Sequence, residues 1–271
     1  MVTKRMQKPS PAFGAGGAEA SSRACGVLFR VPEQSEKSVS KVLELMVKHA
    51  ITSAAGSLHL HGSFAFAVCS AADREGYSLH LGEESFLSAR AYEKKKLEFA
   101  LGREAAHMAL REIGIEGGPA VLRGTGGEPL WPLGVAGSIS HCYPWSVAVV
   151  GQHSNDLAVG IDLESVDRLR EIDIRNLICS DKELQWVQAG QIRERLLMVF
   201  SAKEAVYKAL FPIYQRYIDF KEVELSWLSD QGCFRAKFLT PAPGFVPESF
   251  GPVYCHHEDG LIFSCLISHL N

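Results

Sequence analysis

Residues 135–164 read VAGSISHCYPWSVAVVGQHSNDLAVGIDLE, and their apolar pattern sets the fold class. VAGSISH (135–141), WSVAVVG (145–151) and LAVGIDLE (157–164) are short and rich in β-branched residues. The last two predict buried strands joined by the polar turn QHSND. Outward from them the period changes. Val39, Val42, Leu43, Met46 and Val47 give residues 36–51 a helical stripe, and Leu97, Leu101, Ala105, Met108 and Leu110 do the same across 89–113. A loop rich in Gly and Pro follows, with at most a short strand at Val121–Leu122. Further helix is expected at 181–189 and around 200–210. VELSWL, CFRAKFL and LIFSCLIS then read as strands. Helices and strands recur in both halves without regular alternation, which predicts α+β rather than a doubly wound parallel sheet.

Residues 200–210, FSAKEAVYKAL, place two charges oddly. Val199, Ala202, Val206 and Ala209 form the core-facing stripe. Glu204 and Lys208 lie opposite, one turn apart, yet that side also carries Leu197, Phe200, Tyr207 and Phe211. One reading is a helix ion pair contributing a few tenths of a kcal/mol, about the usual i,i+4 value. The other is a pair of desolvated charges that need partners of opposite sign, such as a metal ion for Glu204 and a phosphate for Lys208.

LAVGIDLES supplies the rest of such a site. With a strand period of two, Val159, Ile161 and Leu163 face one side and Gly160, Asp162 and Glu164 the other. Two carboxylates leaving a strand side by side repel, and a shared cation is the usual remedy. An all-oxygen site with few protein carboxylates suits Mg²⁺. In GSISH (137–141), Ser138, Ser140 and His141 offer donors that suit a phosphate, or else simply cap an edge strand; the stretch is not a GxSxG elbow.

Composition narrows the rest. Apolar residues make up 46% and charged residues 22% of 271, enough for a sizeable core. The net charge of −3 and the lack of a basic stripe speak against nucleic acid. Seven cysteines, an odd number without a CxxC, argue against a disulfide framework and for a cytoplasmic chain. No apolar run reaches membrane-spanning length. Residues 1–24 lack an apolar h-region and are expected to be a leader without fixed structure. His59 and His61 read as strand surface, and His256 and His257 as a solvated turn.

GSISH, then GIDLE, then FSAKEAVYKAL, in that order and spacing, resemble the signature of 4′-phosphopantetheinyl transferases of the surfactin and enterobactin synthetase component D type. EPLWPLGVAGSISHC and KKLEFALGREAAHMAL are similar to the component D subgroup, and the likeness spans about residues 90–225. It implies two similar α/β lobes, here 25–134 and 135–271, with coenzyme A in the cleft between them. The implied reaction moves phosphopantetheine from coenzyme A to a serine of an apo acyl or peptidyl carrier protein, releasing adenosine 3′,5′-bisphosphate. By resemblance, Asp162, Glu164 and Glu204 hold Mg²⁺, and Glu204 is the base, directly or through water. Lys208 meets the pyrophosphate, assisted by Lys203. Ser140, His141, Lys95 and Arg103 contact the 3′-phosphate region. Glu183 falls where the family carries a further acid.

Two departures thin the positive charge expected there: His107, where many relatives have arginine, and Glu128 before Pro129, where some have a basic residue. The implied pathway is non-ribosomal peptide, polyketide or siderophore synthesis, with fatty-acid synthesis also open, and the implied state a monomer. The rival functions are a Mg²⁺-dependent hydrolase of nucleotide pyrophosphates and a non-catalytic carrier-binding module.

Overall fold

The computed structural model describes residues 33–57, 64–72, 79–87, 92–152, 157–169, 174–239 and 251–269, all within one unit, Glu33–Asn271. The expected leader and His59 and His61 lie outside the described residues. Strands β4 (Val135–Cys142) and β5 (Trp145–Gln152) form an antiparallel hairpin, pairing Cys142 with Trp145 and Val135 with Gln152. On the far side of β5 lies β1 (Phe64–Ser70), also antiparallel, giving a sheet ordered β1-β5-β4. The second sheet, β6-β10-β9-β8-β7, contains β6 (Leu157–Ser165), β7 (Val223–Leu228), β8 (Cys233–Phe238), β9 (Val253–Glu258) and β10 (Leu261–His269). A two-residue ladder joins β2 (Leu122–Arg123) to β3 (Pro129–Leu130).

Three long helices cover the sheets because their stripes match the strand alternation. Leu43, Met46, Val47 and Ala50 of α1 (Glu33–Ser57) pack on Val147 and Val149 of β5 and on Val159, Ile161 and Leu163 of β6. Leu101, Ala105 and Ala109 of α3 (Glu93–Glu112) take the alternate residues of β5, Ala148 and Val150. Val199, Ala202, Val206 and Ala209 of α6 (Ile192–Tyr214) meet Ala158 of β6 and Ile262 and Leu266 of β10. Each fully buried Val, Leu or Ile contributes roughly 1.5–3 kcal/mol of transfer free energy, so these three layers hold the chain together. The six described cysteines are buried thiols.

The two halves follow the same course. The first runs β1, α2 (Leu81–Glu84), α3, β2, β3, β4, β5. The second runs β6, α4 (Arg175–Ile178), α5 (Asp181–Gln188), α6, β7, β8, β9, β10, and among the described residues it differs by α4 and by two 3-10 turns at Val166–Leu169 and Phe220–Glu222. In each sheet the first strand lies against the last, as in β1-β5-β4 and β6-β10-β9. The result is a mixed α/β architecture.

Where the sheets meet, serine hydroxyls act as acceptors. Ile161 N donates to Ser138 Oγ at 3.1 Å and Leu163 N to Ser140 Oγ at 3.0 Å, so β4 and β6 run side by side in the same direction. The serines of GSISH thus bind the two halves together. On β6, Gly160 has a separate purpose: a Cβ there would stand 2.0 Å from Ala205 O and 2.6 Å from Ala209 N. Only glycine lets α6 come this close to the strand.

Besides the two-residue β3, two longer strands escaped the sequence reading. FAFAVCS of β1 is half-buried or buried at every position, so it lacks the polar alternation that marks a strand. VYCHHE of β9 ends in polar residues that read as a turn, whereas the turn itself is Asp259–Gly260, both at positive φ. His256 therefore lies in a strand, half-buried and stacked on His49 at 5.0 Å, and His257 Nδ1 is 3.5 Å from Glu194.

Candidate active site

Gly160 brings α6 onto β6, and two residues along the same strand face Asp162 meets Lys208. The Lys208 ammonium donates to Asp162 Oδ1 at 2.7 Å and to Ser140 Oγ at 3.0 Å. Ser140 in turn donates to Asp162 Oδ1 at 3.1 Å while accepting from Leu163 N. A hydroxyl has one proton and two lone pairs, so Ser140 is fully used. It is buried, and its place is behind the site, orienting Asp162 and Lys208. The expected contact with a 3′-phosphate is therefore corrected.

Asp162 Oδ2 is buried with no hydrogen-bond partner among the described residues. Glu204, half-buried on α6, feels the same shortage of compensation. Burial pushes its pKa up, Lys208 pulls it back and the nearby Asp162 charge pushes it up again. The ammonium of Lys208 thus serves Asp162 and Ser140, and Glu204 stays poorly compensated. An orphaned carboxylate oxygen beside a second desolvated carboxylate fits a divalent cation. The expected trio is not assembled, however. Among the described residues no three His, Cys, Asp or Glu side chains stand close enough to hold an ion by themselves, and Glu164 is half-buried farther along β6. Mg²⁺ needs only one or two protein carboxylates when phosphates and water complete its shell, a number that Asp162 and Glu204 would supply.

Glu204 also sits where two cavities meet. One, about 590 Å³, is lined by Gly126–Pro129 of the β2–β3 hairpin, by Gly137–Ile139 of β4, and by Glu204, Tyr207, Lys208 and Phe211. The other, about 400 Å³, shares Glu204 and Tyr207 and is closed by Tyr217, Ile218 and Phe220. A carboxylate between two cavities, backed by a lysine, can place two reactants on either side of one reacting centre.

Comparison with known proteins identifies the family. Residues 83–151 match the 4′-phosphopantetheinyl transferase N-terminal domain, and residues 158–250 match the 4′-phosphopantetheinyl transferase superfamily. The chain is 37% identical over 172 residues to the 4′-phosphopantetheinyl transferase Svp of Streptomyces mobaraensis, covering 61% of this chain and 68% of that one. It is 34% identical over 163 residues to PptT of Mycobacterium tuberculosis, covering 59% and 70%. The chain belongs to the 4′-phosphopantetheinyl transferase superfamily. Enterobactin synthase component D of Salmonella typhi is 39% identical over 119 residues, covering 43% of this chain and 48% of that protein. A holo-[acyl-carrier-protein] synthase structure from Thermotoga maritima aligns with a TM-score of 0.34 at 22% identity, over 42% of this chain and 64% of the other. The activity is thus transfer of 4′-phosphopantetheine to carrier proteins.

The other residues expected in this transferase site divide. Lys95 is exposed on the first turn of α3, and His141, half-exposed at the end of β4, has Nδ1 4.0 Å from Glu98 of the same helix. Arg103, expected to contact the 3′-phosphate region, is buried, with its guanidinium 4.4 Å above the Phe99 ring. Burial lowers its pKa to about 10, against the pull of Glu83 and with the push of Arg123. Glu128 does border the larger cavity, accepting from Gly126 N at 3.0 Å and from Gln215 Nε2 at 3.3 Å.

Lys203 is corrected outright. Its three protons go to Ile178 O, Phe220 O and Glu183 Oε2, all within 2.8 Å, and its side chain is 1% exposed. No proton is left for a phosphate. Glu183 gains a structural role from the same contact. It closes a capping box with Ser180 and accepts from Leu225 N at 2.7 Å. SDKE had the S-x-x-E form that marks such a cap. His107 Nε2 lies 2.7 Å from Glu83 Oε1. Glu83 itself escaped the sequence reading because its N-cap is His80 rather than Ser, Thr, Asp or Asn.

Proposed function

We propose that the cleft between β4, α6 and the β2–β3 hairpin binds coenzyme A and that Asp162 and Glu204 hold Mg²⁺ there. Water and the donor pyrophosphate would complete the ion's shell. When bound, Mg²⁺ offsets the negative charge that grows on the pyrophosphate oxygens as the phosphoryl group transfers. Lys208, anchored on Asp162 and Ser140, adds a second positive charge to the same wall. The carrier serine approaches from the side of the smaller cavity, and its hydroxyl proton passes to Glu204 directly or through a water. A bond forms between the serine oxygen and the phosphorus of phosphopantetheine as the bond to adenosine 3′,5′-bisphosphate breaks.

Lys95 and His141, on the solvent side of α3 and β4, are the groups left for the 3′-phosphate. The two matching strand–helix courses are read as two lobes related by an approximate twofold. One chain then carries a whole site and acts as a monomer in the cytoplasm. The carriers are peptidyl or acyl carrier domains, with siderophore-type synthesis the pathway that the component D likeness favours.

The unpartnered Oδ2 of Asp162 carries this reading, because a buried carboxylate oxygen left without a donor costs about 1–3 kcal/mol or more. Mg²⁺ with coenzyme A is expected to raise the melting temperature of the wild type. At a hundred times the dissociation constant, binding adds about 2.7 kcal/mol, or roughly 5–10 °C for a chain of this size. Asp162→Asn should remove the Mg²⁺-dependent part of that shift. An equal Mg²⁺ shift in both proteins, measured by calorimetry, contradicts the assignment.

A further inference from the structure

Two buried glutamates do the same work in the two halves of the chain. Glu183 is the third residue of α5, and Glu83 the third residue of α2; each closes a capping box, and their exposures are 1% and 0%. Each accepts from the N–H at its own N-cap, Ser180 N at 2.6 Å and His80 N at 3.1 Å. Each accepts from the N–H of a distant residue at 2.7 Å, Leu225 or Val121. Each takes its third contact from the long helix that follows, Lys203 Nζ at 2.8 Å in the second half and His107 Nε2 at 2.7 Å in the first. The sequence separations also run alike, 20 and 42 residues from Glu183 against 24 and 38 from Glu83.

The element beyond the anchored N–H differs. Leu225 belongs to a strand inside the five-stranded sheet. Val121 leads into the β2–β3 hairpin, whose ladder is only two residue pairs long. So short a ladder is not stable alone; its place is set by its anchors. At the far end Gly126 abuts Phe211 so closely that a Cβ would stand 2.0 Å from the ring, and Glu128 meets Gln215 just past α6. After the hairpin, Trp131 Nε1 donates to Gly137 O at 2.8 Å. At its entry, the hydrogen bond from Val121 N–H to Glu83 fixes the backbone.

We infer that Glu83 and His107 are a positioning pair for the transfer reaction: they hold the entry of the hairpin so that Gly126–Pro129 form the wall of the cleft opposite Lys208. His107 gives the fully buried Glu83 carboxylate a hydrogen-bond partner, and Glu83 in turn holds the Val121 N–H. Neither touches the donor. Their effect is on how well the wall fits it, since a misplacement of about 1 Å can cost orders of magnitude. The functional half of this inference rests on the reading of the cleft as the coenzyme A site.

The test pairs amide hydrogen exchange with steady-state kinetics on the full chain. In His107→Ala, exchange is expected to accelerate at 121–130 and stay unchanged in the two large sheets. KM for coenzyme A should rise about tenfold with kcat within about twofold, and His107→Arg, which keeps a nitrogen donor facing Glu83, should restore both. Should His107→Ala fail to fold, Glu83→Gln keeps an oxygen for Val121 N–H while removing the buried charge, and the same readings apply with smaller amplitude. Unchanged exchange at 121–130, or acceleration spread evenly over both sheets, overturns the positioning role. A loosened hairpin with an unchanged KM instead overturns the assignment of this cleft to coenzyme A.

Discussion

Glu204→Gln is expected to cut phosphopantetheine transfer by about 10³-fold while the melting temperature at neutral pH holds or rises. The substitution keeps the shape of the side chain and removes both its charge and its basicity. The rise in stability follows from where the carboxylate lies. Burial, opposed by Lys208 and reinforced by Asp162, holds the Glu204 pKa above the ordinary carboxylate value. Between that ordinary value and the raised one, the folded chain binds more protons than the unfolded chain. Stability therefore falls as pH rises through this window. Glutamine does not titrate, so its advantage over wild type is full above the raised pKa and vanishes in acid. Melting curves against pH without divalent cations, with transfer assayed in parallel, check both halves. Near-normal turnover in Glu204→Gln removes Glu204 from the chemistry.

The two lysines of α6 should separate cleanly. Lys203→Met strands the Glu183 carboxylate in a site where both partners are 1% exposed. Breaking such a pair costs about 3–5 kcal/mol, which lowers the melting temperature by roughly 6–20 °C. Lys208→Met removes an ammonium whose side chain is 27% exposed, so water takes over part of its role toward Asp162 and the stability loss is smaller. Transfer, by contrast, should fall about 10²–10³-fold, because the positive charge that the proposed site sets beside the pyrophosphate is gone. Calorimetry and turnover measured on both variants decide the matter. A Lys203→Met protein as stable as wild type, or a Lys208→Met protein as active, reverses the two roles.

Most of the helices and the central strands were legible because their periodicities are strong. LAVGIDLES declared its two faces, and the structure puts Val159, Ile161 and Leu163 under α1 and Asp162 toward α6. The oddity of Glu204 and Lys208 was legible too, since charges among Phe200, Tyr207 and Phe211 break the helical pattern. Which atoms each charge meets was not legible. Lys203 and Lys208 are both lysines in one apolar helix, and only the packing of Phe220, Ile178 and Glu183 around the first shows that its protons are spent. Ser138 and Ser140 looked like phosphate donors because a sequence does not show that a neighbouring strand lacks acceptors. Glu83 stayed hidden behind an unusual cap, and its partner His107 was read as a missing charge when it fills a buried contact.

The most direct test is the intact mass of an apo peptidyl or acyl carrier protein incubated with this chain, coenzyme A and Mg²⁺. A mass gain of one phosphopantetheine, lost with chelator and in Glu204→Gln, is the predicted result. Coenzyme A cleaved at the same rate without any carrier, and carriers of both kinds left unmodified, would contradict it and make the cleft that of a pyrophosphate hydrolase.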